Sequence, residues 1–252
     1  MTVLEDIGLD IVPGKMVSFA GENGRYTVIY LVQQKLNPPT IAHKAIHTLP
    51  ADQAMHLISA IFDEFDKLFA FNAETQDGVA VGLDGQLSNW AVTDFNAESG
   101  KLPTPLHLVY LDTSTPLLRR NGVEQLNAEI FLRSAPSFLR GILKALYLQD
   151  IVTRYYDLRK VTIDLLANLF KEQQAGLLPD LVAMANGRWA ENPADNPSET
   201  HFPPITLAEV ESYYREDAFI WRLYLSARRF DRGLHQLLRK PYPYILPGQI
   251  RR

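Results

Sequence analysis

A chain of 252 residues, 46% hydrophobic and 21% charged, can bury a core and is not disordered. It holds no cysteine, which excludes disulfides, thiolate zinc sites and a cysteine nucleophile. Its apolar runs fall short of the roughly 20 residues that span a bilayer. The acidic start, Met1 to Asp6, lacks the basic and apolar regions of a secretion signal, so a cytoplasmic protein with no membrane partner is expected.

In chain order, Val17 to Ala20 and Tyr26 to Val32 are rich in β-branched and aromatic residues around Gly21–Gly24, which predicts a hairpin. Thr40 to His47 reads as a third strand. Pro50-Ala51-Asp52 opens a helix whose apolar residues, from Met55 and Ile58 to Leu68 and Phe69, recur at helical spacing. A second hairpin is expected from Val79 to Leu83 and Leu87 to Val92, turning at Asp84-Gly85-Gln86. Leu106 to Leu111 is a further strand that ends at Asp112-Thr113-Ser114-Thr115-Pro116.

Helices are expected over Val123–Leu132, Pro136–Gln149, Thr153–Gln174 and Leu177–Ala185. The Pro- and Asn-rich stretch from Asn186 to Pro204 reads as a loop. Thr206 and Glu209 form a capping box for a last helix, with an apolar stripe from Ile220 to Leu237 and an extended tail from Tyr242. The expected fold class is α+β: a β-rich lobe over residues 1–116, ordered β-β-β-α-β-β-β, and a helical lobe over 117–252.

The net charge of −4 hides an asymmetry. From Arg215 to Arg252 there are nine basic and three acidic residues, a balance of +6, so the remainder carries −10. Such a basic segment suits nucleic acid, an acidic protein partner or an anionic substrate, or it is a solvated helix face. Nucleic acid is the weaker fit, because Tyr213, Tyr214, Phe219, Trp221, Tyr224 and Phe230 match core packing better than base stacking.

Three constellations carry candidate chemistry. At the strand end, Asp112 is placed to take a proton or hold a metal. Thr113, Ser114, Thr115, Arg119 and Arg120 offer hydroxyls and guanidinium forks to a phosphate, sulfate or carboxylate. The same residues read alternatively as a helix cap before Pro116.

Along the helix from Arg154, the residues Arg154, Asp157, Val161, Asp164, Asn168 and Lys171 share one face, with Arg159 and Lys160 nearby. Asp157 and Asp164 lie two turns apart, roughly 10 Å, which prevents a shared proton but lets both face one ligand. A solvated face of spaced ion pairs is the alternative. The third constellation, Asp84 with Asn89, is either a hairpin turn or a proton acceptor and its polar neighbour. His43 and His47, on the expected strand, would lie about 13 Å apart and make no metal site.

The pair Asp84 and Asn89 resembles the catalytic loop of kinase-like phosphotransferases, where the aspartate takes a hydroxyl proton and the asparagine binds magnesium. Gly21-Glu22-Asn23-Gly24-Arg25-Tyr26-Thr27-Val28 resembles a degenerate glycine-rich loop. Ile41-Ala42-His43-Lys44 resembles the strand with the phosphate-binding lysine, and Glu64 sits where its ion-pair partner would. This likeness to the small lobe of protein kinases implies cofactor contacts at Lys44 and Glu64. ATP and magnesium are expected only under that phosphotransferase reading. The departure is the short interval from Glu64 to Asp84, which leaves no room for the helices that precede a catalytic loop.

Tyr110 to Pro116, Arg154-Tyr155-Tyr156-Asp157 and Asn168 to Glu172 resemble the pattern of a bacterial family with unassigned biochemistry. The chain is also similar, more distantly, to the aziridine-forming subunits of azinomycin- and vazabitide-type pathways. That likeness implies ring closure by loss of sulfate, a complex of two different proteins and a substrate held on an acidic carrier.

The expected function is an enzyme of small-molecule or secondary metabolism acting on a phosphate- or sulfate-bearing substrate. Asp112, Asp157 and Asp164 are its catalytic candidates. Thr113, Ser114, Thr115, Arg119, Arg120, Arg154, Lys160 and Asn168 are its substrate contacts. The alternative is a non-catalytic partner-binding protein on a degenerate kinase-like fold.

Overall fold

The structure is a computed structural model. It describes residues 3–21, 24, 26–75, 77–113, 117–127, 136, 141, 153–190, 202–242, 244 and 246. The fold is α+β, with small antiparallel sheets in the N-terminal half and helices in the C-terminal half.

The first elements are α1 (Val3–Ile7), β1 (Gly14–Ala20) and β2 (Thr27–Gln33). β1 and β2 form the expected hairpin, paired from Gly14↔Gln33 to Ala20↔Thr27. The segment expected as a third strand is helical instead, as α2 (Ala42–Ala45). Pro38 and Pro39 begin a short turn of helix there, and the Ile41 carbonyl accepts from the Lys44 and Ala45 amides, which starts α2. His43 and Lys44 are therefore on a helix and not on a strand.

α3 (Ala51–Glu74) is the helix that periodicity predicts. Asp52 in its first turn faces the positive end of the helix dipole. One stripe, including Leu57, Ile58, Ile61, Phe62, Phe65 and Leu68, is wholly buried.

Around α3 lie β3 (Val79–Val81), β4 (Trp90–Val92), β5 (Leu108–Tyr110), β6 (Leu118–Arg120) and β7 (Val123–Glu124). The expected hairpin between Val79 and Val92 does not form. β3 pairs with β6, in register Val79↔Arg120 to Val81↔Leu118, and β4 pairs with β5. Val123 and Glu124 continue that sheet as β7 rather than opening a helix. The helix expected over Pro136–Gln149 falls almost wholly outside the described residues.

The C-terminal half contributes α4 (Leu158–Lys171), α5 (Leu178–Ala190) and α6 (Leu207–Leu237). α5 runs past Asn186, where a loop was expected. α6 starts where the capping box places it, with the Thr206 side chain accepting from the Glu209 amide at 3.2 Å. Arg159 ties α4 to this start: both its terminal nitrogens reach the Glu209 carboxylate at 2.6 Å, and its Nε donates to the Pro203 carbonyl at 2.8 Å.

One apolar cluster runs from Leu9 through α3, β4 and α4 to α5 and Val210. Phe65 packs on Trp90 and Trp90 on Tyr110, while Phe62 meets Trp189 of α5 edge-on at 5.1 Å. The core is thus continuous across the expected boundary at residues 116 and 117. Among the described residues, no helix is long and apolar enough to cross a membrane.

Candidate functional site

The site begins at the end of β3. Asn72, in the last turn of α3, donates to the Val81 carbonyl and accepts the Val81 amide, both at 2.7 Å. Beyond the strand, the Gly82 amide donates to Leu117 and the Leu83 amide donates to Tyr155, both at 2.8 Å. These bonds extend the chain and set Asp84 beside the Arg154-Tyr155 segment.

Glycine is required here for close approach. A Cβ on Gly85 would lie 2.5 Å from the Phe65 ring and 2.8 Å from Val161. Asp84-Gly85-Gln86 is therefore a passage wedged against the core, not the turn of a hairpin. Its carbonyl at Asp84 accepts from Asn89 Nδ2 at 3.0 Å and from the Tyr110 hydroxyl at 3.2 Å. Asn89 thus fixes the backbone of the loop.

Burial pushes the Asp84 carboxyl up to about 6, and the charge of Asp112 adds to the effect. The Gln86 amide, donating to its Oδ1 at 3.3 Å, pulls the other way.

Asp164 stands across from it on α4. It is 7% exposed. Burial raises its carboxyl to about 7, with the Asp84 charge as the next cause. Two groups oppose this: the Tyr213 hydroxyl donates to Asp164 Oδ1 at 2.9 Å, and Arg154 lies close by. Arg154 in turn donates through Nη1 to the Tyr213 oxygen and packs its guanidinium 4.8 Å from the Tyr213 ring centroid. The result is a relay, Arg154 to Tyr213 to Asp164, that holds the carboxylate oriented. Tyr155 feels the charges of Asp84, Asp164, Arg154 and Asp112 together, so strand end and long helix converge on it.

Between α4 and α6 opens a cleft of about 170 Å³, lined by Gln86, Asp164, Ala167, Asn168, Lys171, Tyr213, Tyr214, Asp217 and Trp221. The stacking of Tyr214 on Phe170, with centroids 5.2 Å apart, fixes one wall. Two carboxylates, Asp164 and Asp217, and one cation, Lys171, are on its walls, while the charges of Asp84 and Arg154 act on Asp164 from behind.

The remaining expected residues take other places. Asp157 caps α4, its carboxylate accepting the Lys160 amide at 3.1 Å, and the Lys160 side chain is exposed. Arg119 lies over the Tyr156 ring at 3.9 Å, pairs with Glu124 at 3.4 Å and reaches Thr153. Arg120 is exposed on β6. Thr113 accepts from Gln33 Nε2 at 2.9 Å, which anchors the β1–β2 hairpin next to Asp112. Ser114 and Thr115 lie outside the described residues.

Lys44 is exposed, and Glu64 accepts both its hydrogen bonds from Lys67, at 2.8 and 3.0 Å. The expected Lys44–Glu64 contact is therefore replaced by a pair within α3. Among the described residues, no group of three His, Asp or Glu side chains could hold a metal ion.

Sequence reasoning brought Asp164, Asn168, Arg154 and Asp112 forward but passed over Asp217, Tyr213, Trp221 and Gln86 as site residues. The first three had a readable signal: Tyr213, Asp217 and Trp221 recur every four residues and share one face of α6.

Fold and cleft together define an α+β protein with a polar, carboxylate-lined site walled by two helices. The chain belongs to the family described as a family of unknown function (DUF6206), which matches residues 1–232. Neither the curated proteins nor the solved structures contain a match to it.

Proposed function

We propose that this chain is a cytoplasmic enzyme of small-molecule metabolism in which Asp164 accepts and returns a proton while an anionic group leaves or is transferred. The observation that carries the reading is a buried carboxyl raised to about 7, oriented by Tyr213 and Arg154 on the wall of a cleft. A carboxylate near the working pH is matched to proton transfer in either direction. Arg154 and Lys171 would stabilise a departing phosphate or sulfate, the role first expected of Arg119 and Arg120. Asp84 favours the Asp164 proton by repulsion, and Asp112 acts in the same way on Asp84.

Of the two finer likenesses, the sulfate-displacing cyclases fit the cleft better. Displacement needs a proton acceptor and a cation beside the departing anion. Phosphotransfer on the kinase pattern would need Lys44 and Glu64 together, and they have other surroundings.

The reading is tested by incubating the chain with a panel of phosphate and sulfate esters of small metabolites and measuring released anion. Release that is lost in Asp164→Asn and kept in Arg120→Ala supports it. Release that persists in Asp164→Asn removes Asp164 from the chemistry.

A second reading, a partner-binding protein, is favoured by exposed apolar side chains on α6. Phe219, Phe230 and Leu237 are 59%, 60% and 79% exposed among the exposed cations Arg222, Arg229 and Arg232. Such a face suits an acidic protein, either a carrier or a second subunit. Salt-sensitive association that Arg229→Glu and Arg232→Glu abolish would support it.

A further inference from the structure

Asn168 presents a buried acceptor that the folded chain leaves without a donor. The residue is 8% exposed and lines the cleft. Its Nδ2 donates to the Asp164 carbonyl at 2.9 Å, and its Oδ1 has no hydrogen-bond partner. The amide cannot be reversed, because that would turn an oxygen toward the Asp164 carbonyl and lose the one bond it makes. Leaving a buried carbonyl oxygen without a donor is unfavourable, so a group that brings a donor to it is favoured.

The surroundings define that group. Asp164 and Asp217 put two carboxylates on the same cleft, and Tyr213 already gives its proton to Asp164. Tyr214 and Trp221 supply aromatic surface. Lys171, the cation among the lining residues, is exposed and can turn its ammonium to solvent or to an anionic part of the same guest. An anion entering beside Asn168 would meet its free oxygen and share the cleft with the Asp164 and Asp217 carboxylates. An alkylammonium brings three donors and a positive charge, which match a free acceptor, two carboxylates and aromatic faces.

We propose that the cleft between α4 and α6 binds the primary ammonium group of the substrate, with Asn168 Oδ1 and the Asp164 and Asp217 carboxylates accepting its hydrogen bonds. The assignment rests on the cleft being the substrate site of the proposed enzyme. It adds what that reading leaves open: the guest is an amine. Asn168 and Asp217 are its binding residues, and the anionic portion of the same guest points outward toward Lys171.

The experiment is calorimetric titration of the full chain at pH 8 with n-butylammonium, n-butanol and butyrate, three probes that differ in the head group. Saturable binding of butylammonium, with neither butanol nor butyrate binding, is expected. Asn168→Leu and Asp217→Asn should each weaken it about tenfold, the equivalent of one charge-assisted hydrogen bond. Asp217 is only partly buried, so Asp217→Asn keeps the test usable if Asn168→Leu does not fold. Equal binding of butanol, tighter binding of butyrate, or butylammonium binding untouched by Asp217→Asn would overturn the proposal. A carbon-detected titration of Asp164 separates the two readings. Asp164 near neutral with no ammonium bound sinks the amine assignment alone, whereas bound ammonium with Asp164 in the ordinary carboxylate range upholds it and removes the proton-transfer role.

Discussion

Helix α3 and the β1–β2 hairpin are similarly rich in large apolar side chains, yet they end in opposite surroundings. Leu57, Ile58, Ile61, Phe62, Phe65 and Leu68 of α3 are wholly buried, while Met16, Phe19, Ile29 and Tyr30 of the hairpin are 69%, 56%, 61% and 57% exposed. The helix gathers its apolar residues on one stripe, so a single layer of neighbours can cover them. The hairpin sets them on both faces of a two-stranded ribbon, and covering those would take two layers. Its base is what holds it: Gln33 donates to the Leu111 carbonyl at 2.8 Å and to Thr113, and the Gln34 amide donates to Pro13. Apolar content therefore predicts a core only where periodicity collects it on one side.

The contrast can be broken most sharply at Phe65. Phe65→Ala should cost about 3–5 kcal/mol in urea unfolding, through lost burial and the cavity left against Trp90. A loss below about 1 kcal/mol would mean that the core around α3 is looser than its packing implies.

Gly85→Ala comes next, at about 3 kcal/mol, because the new methyl meets the Phe65 ring and Val161 in a filled core. If the variant matches the wild type in stability, the wedge at Asp84-Gly85-Gln86 is not closed.

The third expected effect depends on pH. Burial raises Asp164 to about 7 and Asp84 to about 6 in the folded chain, above the ordinary carboxylate value near 4. The folded state therefore holds protons that the unfolded state has given up, and stability falls as pH rises from about 4 through those folded values. Asp164→Asn removes part of this fall. Its stability relative to wild type should grow by on the order of 2 kcal/mol between pH 4 and pH 8. A constant difference across that range would show that Asp164 titrates like an exposed carboxylate.

At the bottom of the scale, Ile29→Ala on the hairpin should change stability by no more than about 0.5 kcal/mol. A cost approaching that of Phe65→Ala would show that the hairpin is covered in solution, and the comparison would need a second molecule to complete it.

What could be read from the residues divides along the same line. α3 and α6 were legible because stripe and capping box are local patterns, and Thr206 caps the Glu209 amide where expected. Glu209 departs from the box in one respect, since its carboxylate goes to Arg159. The pairing of β3 with β6 was not legible: an Asp-Gly step beside two short apolar runs is a hairpin signal, and only a partner far along the chain overrides it. The local motif Ile41-Ala42-His43-Lys44 likewise lost to a helical start set by the prolines before it.

In the site, Asp164, Asn168 and Arg154 stood out on one face of a long helix. Asp157 shared that face but became its cap. Asp84 stands out in the sequence only by its spacing to Asn89, which fits a hairpin turn as well as a proton acceptor. Its importance comes from being enclosed beside Tyr155 and Asp164, which no spacing announces.

The relay from Arg154 through Tyr213 to Asp164 also dates the moment at which the site comes into being. Tyr213 lies on α6, so during synthesis the α4 carboxylate is made well before the helix that will roof it. Without α6, Asp164 lacks the Tyr213 hydroxyl that donates to its Oδ1 and the side chains that close that side of the cleft. The burial that raises its titration thus depends on the contact between α4 and α6. Followed by isotope label during refolding, this one proton would report the docking of α6 on α4.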